Sequence, residues 1–403
     1  MDGIRRFGEM LSNNSYEDYM NESSISEKGT PFDSLQCPAD AVQVNLLYYP
    51  EQEMDLLLYS TTDKIMISKV FPIIIAIGLL GNSAFLLTLI RVRQMRTLTN
   101  FYLANLAFAD LFLVIVTAAN YFYRFIWSSE FMSGTPWKYA PSCAILAIAT
   151  YVPYFASICL VTLVSIERFL AICFPLKHRM MNNKSRTIKM VFVTWLIAFA
   201  LAAIVAPQSS VFYRFCIVWP VKWQHRLPAV FSRCYSVKTE FFDISSVAQF
   251  VPFIIALLLN TTLYFLIVRR LSQRDVSDTH NKGENQAQNQ AQKVRNAVAR
   301  MLVINGIAFF LCLTPFQFYN VYYLAVRNTN VKVLDDRHVY IIAWVGRCFT
   351  VFNSAINPFI YSATNARYRQ AFITAIGCTP KRRNVSEMTT SASAVTANNA
   401  TRM

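Results

Sequence analysis

Seven stretches of this chain run for the length of a membrane crossing with almost no charge. They extend from Val70 to Ile90, Phe101 to Tyr123, Ala140 to Ile166, Met190 to Tyr213, Ile244 to Val268, Met301 to Val326 and Val339 to Tyr361. A hydrocarbon core of about 30 Å takes roughly 20 apolar residues in helix, so each can span it. Barrel strands would be about ten residues long and alternate in polarity, whereas these runs are continuous. The expected fold is an all-α membrane protein, a seven-transmembrane helix bundle. Composition agrees: 15% of the 403 residues are charged, too few to cover a water-facing surface of that size when soluble chains carry about 25%. The formal charge of +15 then bears on topology, and no nucleic-acid partner is expected.

Met1 to Asn14 lacks the apolar core of a secretory signal, so the first span is expected to serve as its own insertion signal. Lys and Arg crowd Arg91–Arg96, Lys177–Lys189, Arg269–Arg300 and the segment from Arg367, which places these on the cytoplasmic side. The first 63 residues hold only Arg5, Arg6 and Lys28 among many acids, and carry sequons at Asn13 and Asn21 that suit glycosylation on the outer side. The expectation is a multi-pass plasma-membrane protein with its N-terminus outside and its C-terminus inside. Its parts are an outer region (1–63), the bundle (64–361), a short amphipathic eighth helix on the inner membrane surface (362–378) and a disordered tail (379–403). Asp275 to Gln292, with its Asn/Gln-rich core, reads as a flexible loop. Asn365 to Ile376 alternates basic and apolar residues as a surface helix does, and Cys378 beyond it is either palmitoylated or a plain thiol.

Polar groups inside a bilayer are costly, so those present carry the functional argument. Asp110 is the only acid in the second span, and Asn82, Asn105, Asn353, Ser354 and Asn357 could face it. Gly81-Asn82, Leu106-Ala-Phe-Ala-Asp110, Glu167-Arg168-Phe169, Trp195, Pro252, Pro315 and Asn357-Pro358-Phe-Ile-Tyr361 follow one another along the spans in order. In this the chain resembles the rhodopsin-like (class A) G-protein-coupled receptors. The resemblance implies a sodium pocket at Asp110, Ser157, Asn353, Ser354 and Asn357, consistent with the oxygen ligands a small cation needs. The same groups could instead be interhelical hydrogen bonds. It further implies that Arg168 is held by Glu167 at rest and meets the G protein when the sixth span swings outward, with Pro315, Asn357, Pro358 and Tyr361 in the activation path. Three departures stand out: Leu313 replaces the usual tryptophan before Pro315, leaving Phe309 and Phe316 to carry any packing switch; Asn260 stands where a tyrosine is usual, with Tyr264 one turn on; and Arg295 occupies the place of an acid that would lock Arg168.

There are nine cysteines. The resemblance implies a disulfide between Cys143 and Cys234, with Cys216 a competing partner, and Cys37 with Cys216 could form a second bridge. No acid faces the pocket from the third span, where Thr150 and Tyr151 stand, and no Lys lies in the seventh to hold retinal. The candidate ligand-binding residues are Asn120, Tyr121, Arg124, Tyr151, Tyr154, Gln317, Asn320, Tyr323 and Arg347, an aromatic, amide and cationic set suited to a peptide. The acidic N-terminal region suits a basic one. Arg96-Thr-Leu-Thr-Asn100-Phe-Tyr-Leu-Ala-Asn105 and Phe352-Asn-Ser-Ala-Ile-Asn357-Pro look most like the neuropeptide branch, near receptors for thyrotropin-releasing hormone and neuromedin U. The implied function is a receptor that passes binding of an extracellular neuropeptide to a heterotrimeric G protein. Arrestin and receptor kinases would act at the Ser/Thr-rich tail, and the implied cofactor set is empty apart from an allosteric sodium ion. An atypical seven-helix receptor signalling without a G protein stays open as an alternative. A transporter or channel calls for internal repeats or broken helices, and neither is visible. Four histidines, none in a span near a carboxylate, build no hydrolytic or metal constellation, so an enzyme is not expected.

Overall fold

The computed structural model describes residues 37–47, 57–132, 134–135, 137–181, 183–278, 286–329 and 331–377. Among these, seven helices are long and apolar enough to cross a membrane. They are α1 (Thr61–Arg91), α2 (Leu98–Trp127), α3 (Pro141–Cys173), α4 (Lys184–Val205), α5 (Glu240–Asp278), α6 (Gln286–Thr329) and α7 (Asp336–Thr364). A short helix, Pro175–Met181, follows α3. The amphipathic helix expected after the seventh span is α8 (Ala366–Ala375), which buries Tyr368, Ala371 and Ala375 at the three- and four-residue spacing of one helix face.

Local chemistry sets several boundaries. Ser60 and Asp63 form a reciprocal capping box at the start of α1. Thr97, Asn183, Asp335 and Asn365 cap α2, α4, α7 and α8 with a side-chain oxygen on a backbone N–H. Within α1 the turn Met66–Val70 widens to π geometry. Pro72 follows it and has no N–H to return to the preceding turn, which accounts for the wider winding.

Helix α3 runs through the middle of the bundle, against α2, α4, α5 and α6. Phe155, Ala156 and Leu160 on it are fully enclosed, together with Phe309 and Leu313 of α6. Apolar side chains turned outward are the rule on the outer helices: Leu80 is 73% exposed and Leu311 66%, as lipid-facing positions require. Helices α6 and α7 come close at Gly346, where an added Cβ would stand 2.8 Å from the Cα of Phe316. That neighbour is backbone and cannot swing aside. Gly346→Ala is therefore expected to cost about 1–3 kcal/mol by overpacking, read as a lower melting temperature of the detergent-purified protein; an unchanged value would mean the two helices part freely.

The helical bundle is as expected, and outside it β1 (Val42–Asn45), β2 (Val211–Val218) and β3 (Val230–Tyr235) add a small three-stranded sheet. Strands β2 and β3 are antiparallel, with Tyr213 opposite Arg233, and β1 lies parallel to β2, with Val42 opposite Phe215. The fourth span, expected to reach Tyr213, ends as helix at Val205, and a 3-10 turn through Pro207 leads into the strand. Val211–Val218 is apolar enough to resemble the end of a span, yet it is β-branched and aromatic, as strands are. Phe131, Phe215, Trp219 and Phe231 pack as its core. Asp275–Gln292 is not a loop throughout, since α5 continues to Asp278 and α6 begins at Gln286. Gln and Ala are good helix formers, so polarity there was not a sign of loop.

Asn13, Asn21, Cys378 and the tail lie outside the described residues.

Candidate functional site

At the sheet end of the bundle the helices splay around a cavity of about 450 Å³. Of the candidate ligand-binding residues, helix α2 brings Asn120, Tyr121 and Arg124 to it, α3 brings Tyr151, and α7 brings Arg347. Tyr154 and Gln317 are not among its lining residues. They lie one turn further along α3 and across on α6, where the Gln317 side-chain N–H donates to the Tyr154 hydroxyl, so the pair joins two helices. Asn320 and Tyr323 also fall outside the lining set, and Tyr323 stacks on Tyr319 with ring centroids 6.2 Å apart.

Other lining groups escaped the sequence reading: Tyr59, Asp63, Trp137, Arg233 and Trp344. Arg233 arrives on β3, a strand that was not expected. Asp63 carried a legible signal, the Ser60-x-x-Asp63 capping pattern. Its Oδ2 accepts from the Ser60 N–H at 2.8 Å, and its Oδ1 from the Tyr340 hydroxyl at 2.7 Å and the Trp344 indole at 2.8 Å, which pins α1 to α7. Arg347 lies over the Trp344 ring at 5.3 Å. Arg124 donates from Nη2 to the Met132 carbonyl at 2.7 Å. Burial holds the Tyr59 phenol above its usual range, so it remains a donor.

Two disulfides hold this end. Cys143–Cys234 ties the start of α3 to β3, and Cys37–Cys216 ties the N-terminal strap to β2, which resolves the competition for Cys216. The Arg214–Asp40 ion pair at 2.7 Å adds a second tie to the strap.

Midway along the bundle Asp110 is fully enclosed. Ser157 donates to its Oδ1 at 3.3 Å and Asn357 to its Oδ2 at 2.6 Å. The side-chain oxygens of Asn82, Asn353, Ser354 and Asn357 are buried with no hydrogen-bond partner. Buried orphan oxygens are rare, and a group of them beside a carboxylate calls for a cation or water. Asn105 is not part of this cluster; it turns to α4, accepting from the Trp195 indole at 3.3 Å.

At the other end, about 37 Å from Cys143 by the helical rise over 25 residues of α3, lies Arg168. The expected hold by Glu167 is replaced. Glu167 pairs with Arg186 of α4 at 2.9 Å and touches His178 at 3.4 Å, while Arg168 donates from Nη2 to the Thr99 hydroxyl on α2. Neighbours in a helix sequence point about 100° apart, so the two side chains face different helices. Burial keeps the His178 imidazole below its usual range against the pull of Glu167, leaving Arg186 as the full ion-pair partner at neutral pH. Arg168 opens into a cavity of about 200 Å³ shared with Thr97, Thr99, Asn100, Arg295, Arg367 and Tyr368. Tyr368 donates to Asn100 at 2.5 Å, its hydroxyl pushed up to about 12 by burial. Tyr361 is enclosed against Phe85 at 5.3 Å. On α6, which contains Pro315, Phe309 and Leu313 share one buried cluster and Phe316 meets Tyr154 edge-on at 6.2 Å, so aliphatic and phenyl packing occupies the place of the missing tryptophan. Asn260 donates to Thr162 at 2.9 Å, and Tyr264 accepts from Ser165 at 2.9 Å.

The order of these features matches the family model for the 7 transmembrane receptor (rhodopsin family) over residues 81–361. The chain belongs to this family. It is similar to the human growth hormone secretagogue receptor type 1, at 27% identity over 309 residues covering 75% of this chain and 78% of that protein. It is also 26% identical to the rat neuromedin-U receptor 2 over 323 residues (78% of this chain, 76% of the relative), and 26% identical to the bovine thyrotropin-releasing hormone receptor over 335 residues (77% of each). As a rhodopsin-family member it is a multi-pass membrane receptor, of a receptor family and not an enzyme family.

Proposed function

We propose that this receptor lies in the plasma membrane with its sheet end outside, binds an extracellular neuropeptide in the sheet-end cavity and promotes nucleotide exchange on a heterotrimeric G protein at the Arg168 end. The observation that carries the reading is the placement of two polar sites, one at each end of α3, with the Asp110 cluster between them. The relatives are named for peptide hormones or secretagogues, which favours a peptide. Pro315 inside α6 supplies the pivot of the moving part, since its missing N–H loosens the turn before it. Outward movement of the cytoplasmic half of α6 uncovers Arg168. Peptide binding acts by favouring that open arrangement in affinity. Screening a neuropeptide library on cells expressing the chain, with calcium and cyclic nucleotide read together, tests this; no response to any peptide would count against it.

The Asp110 cluster is the proposed seat of an allosteric sodium ion. Its donors fit: one carboxylate and the orphan oxygens of Asn353, Ser354 and Asn357, with Ser157 alongside, are the hard ligands that ion takes. Sodium bound there would favour the resting arrangement. Replacing external sodium by choline should therefore lower the half-maximal peptide concentration, by about three- to tenfold for a coupling of ~1 kcal/mol. Asp110→Asn should remove the sodium dependence, and a variant that kept it would exclude this site. The Ser/Thr-rich tail is the proposed substrate of receptor kinases and docking site of arrestin, with Cys378 a palmitoylation site and Asn13 and Asn21 glycosylation sites.

A further inference from the structure

The sheet-end cavity is not electrically balanced. Among the described residues, Arg124, Arg233 and Arg347 line it against a single acid, Asp63, so three guanidiniums less one carboxylate leave two positive charges over. Asp63 is in addition committed, with both oxygens taken by Ser60, Tyr340 and Trp344.

The guanidiniums are positioned and incompletely used. Arg233 lies over Tyr235 at 5.4 Å and Arg347 over Trp344 at 5.3 Å, each steadied by a ring. Arg124 Nε and Arg233 Nη1 are shut off from solvent with no hydrogen-bond partner. A buried cationic N–H without an acceptor is costly, and the cost disappears when an anion enters. A neutral amide offers one carbonyl oxygen and no charge. A carboxylate takes a guanidinium by two parallel bonds and cancels its charge.

We propose that the ligand segment entering this cavity carries two carboxylates, either two acidic side chains or one with a free C-terminus. The inference rests on reading the cavity as the peptide site, and it is opposite in sign to the basic peptide that the acidic N-terminal region suits.

Two experiments decide it. In the first, the purified full-length receptor is melted in the presence of succinate, with sodium chloride at matched ionic strength as control. Succinate should raise the melting temperature saturably where chloride does not, and Arg233→Gln and Arg347→Gln should each weaken that rise. A succinate effect no larger than that of chloride, or one undiminished in both variants, overturns the proposal. In the second, each library peptide is made with its acids intact, with Asp→Asn and Glu→Gln, and with a C-terminal acid or amide. An active peptide should lose about tenfold or more in potency for each carboxylate neutralised, and the acid and amide forms reveal which source supplies it. An active peptide indifferent to neutralisation overturns the inference while upholding the peptide-receptor reading. A library with no active member counts against that reading and leaves the succinate shift to decide this one.

Discussion

Arg168→Ala is expected to abolish the peptide-evoked G-protein response while leaving the receptor at the cell surface. The guanidinium is half-buried and donates to the Thr99 hydroxyl, so the resting fold loses that hydrogen bond. Glu167 is not stranded by the change, because Arg186 pairs with it independently. The G protein, by contrast, loses a fork-shaped donor that, on the proposed function, an open α6 would present. Charged hydrogen bonds are worth about 1.5–3 kcal/mol each, so each one lost in the active complex reduces coupling roughly 10- to 150-fold. Arg168→Lys keeps the charge without the fork and should fall between. Surface staining and nucleotide exchange on the same cells check this, and an undiminished response would remove Arg168 from the mechanism.

Cys143→Ser should be nearly as damaging, by a different route. The bridge to Cys234 spans 91 residues of sequence and closes α3, α4 and the hairpin into one loop. Chain entropy sets the stabilisation of such a loop at about 4–5 kcal/mol. Both cysteines also line the cavity, so their separation loosens the strand that carries Arg233. The expected outcome is a large fall in surface expression together with loss of peptide response in the molecules that remain. Cys37→Ser provides the contrast. Strand β1 stays attached through its ladder to β2 and through the Arg214–Asp40 pair, so surface expression should remain within about twofold of the parent. Flow cytometry of surface-labelled cells separates the two, and equal effects would show that the bridges serve one structural purpose.

Much of this was legible from the chain alone because a bilayer leaves few choices. A run of about 20 uncharged residues can satisfy its backbone only as helix, so the seven spans follow from composition along the sequence, and α8 from its alternation of basic and apolar residues. Asp110 and Asn357 were found for the same reason, since an acid or amide costs too much in hydrocarbon to sit there idle. Helix ends and the aqueous segments are different. Val211–Val218 is as apolar as a span, and only its pairing with Val230–Tyr235 makes it a strand. Asn105 and Asn82 lie on adjacent spans and are chemically alike, yet one faces α4 and the other donates to the Ser354 carbonyl at 2.7 Å. Facing depends on how each helix is rotated, and periodicity does not give that when lipid and neighbour are both apolar.

The sequence by itself determined a seven-helix membrane bundle, the family, and the intramembrane polar groups, because each is a consequence of what one segment can do in a bilayer. Only the tertiary structure decided which partners those groups keep: Glu167 with Arg186 instead of Arg168, Tyr154 with Gln317 instead of the cavity, and Arg124, Arg233 and Arg347 together around one space. Those pairings join residues far apart in the chain. Their energies depend on distances of a few ångströms that no single segment encodes.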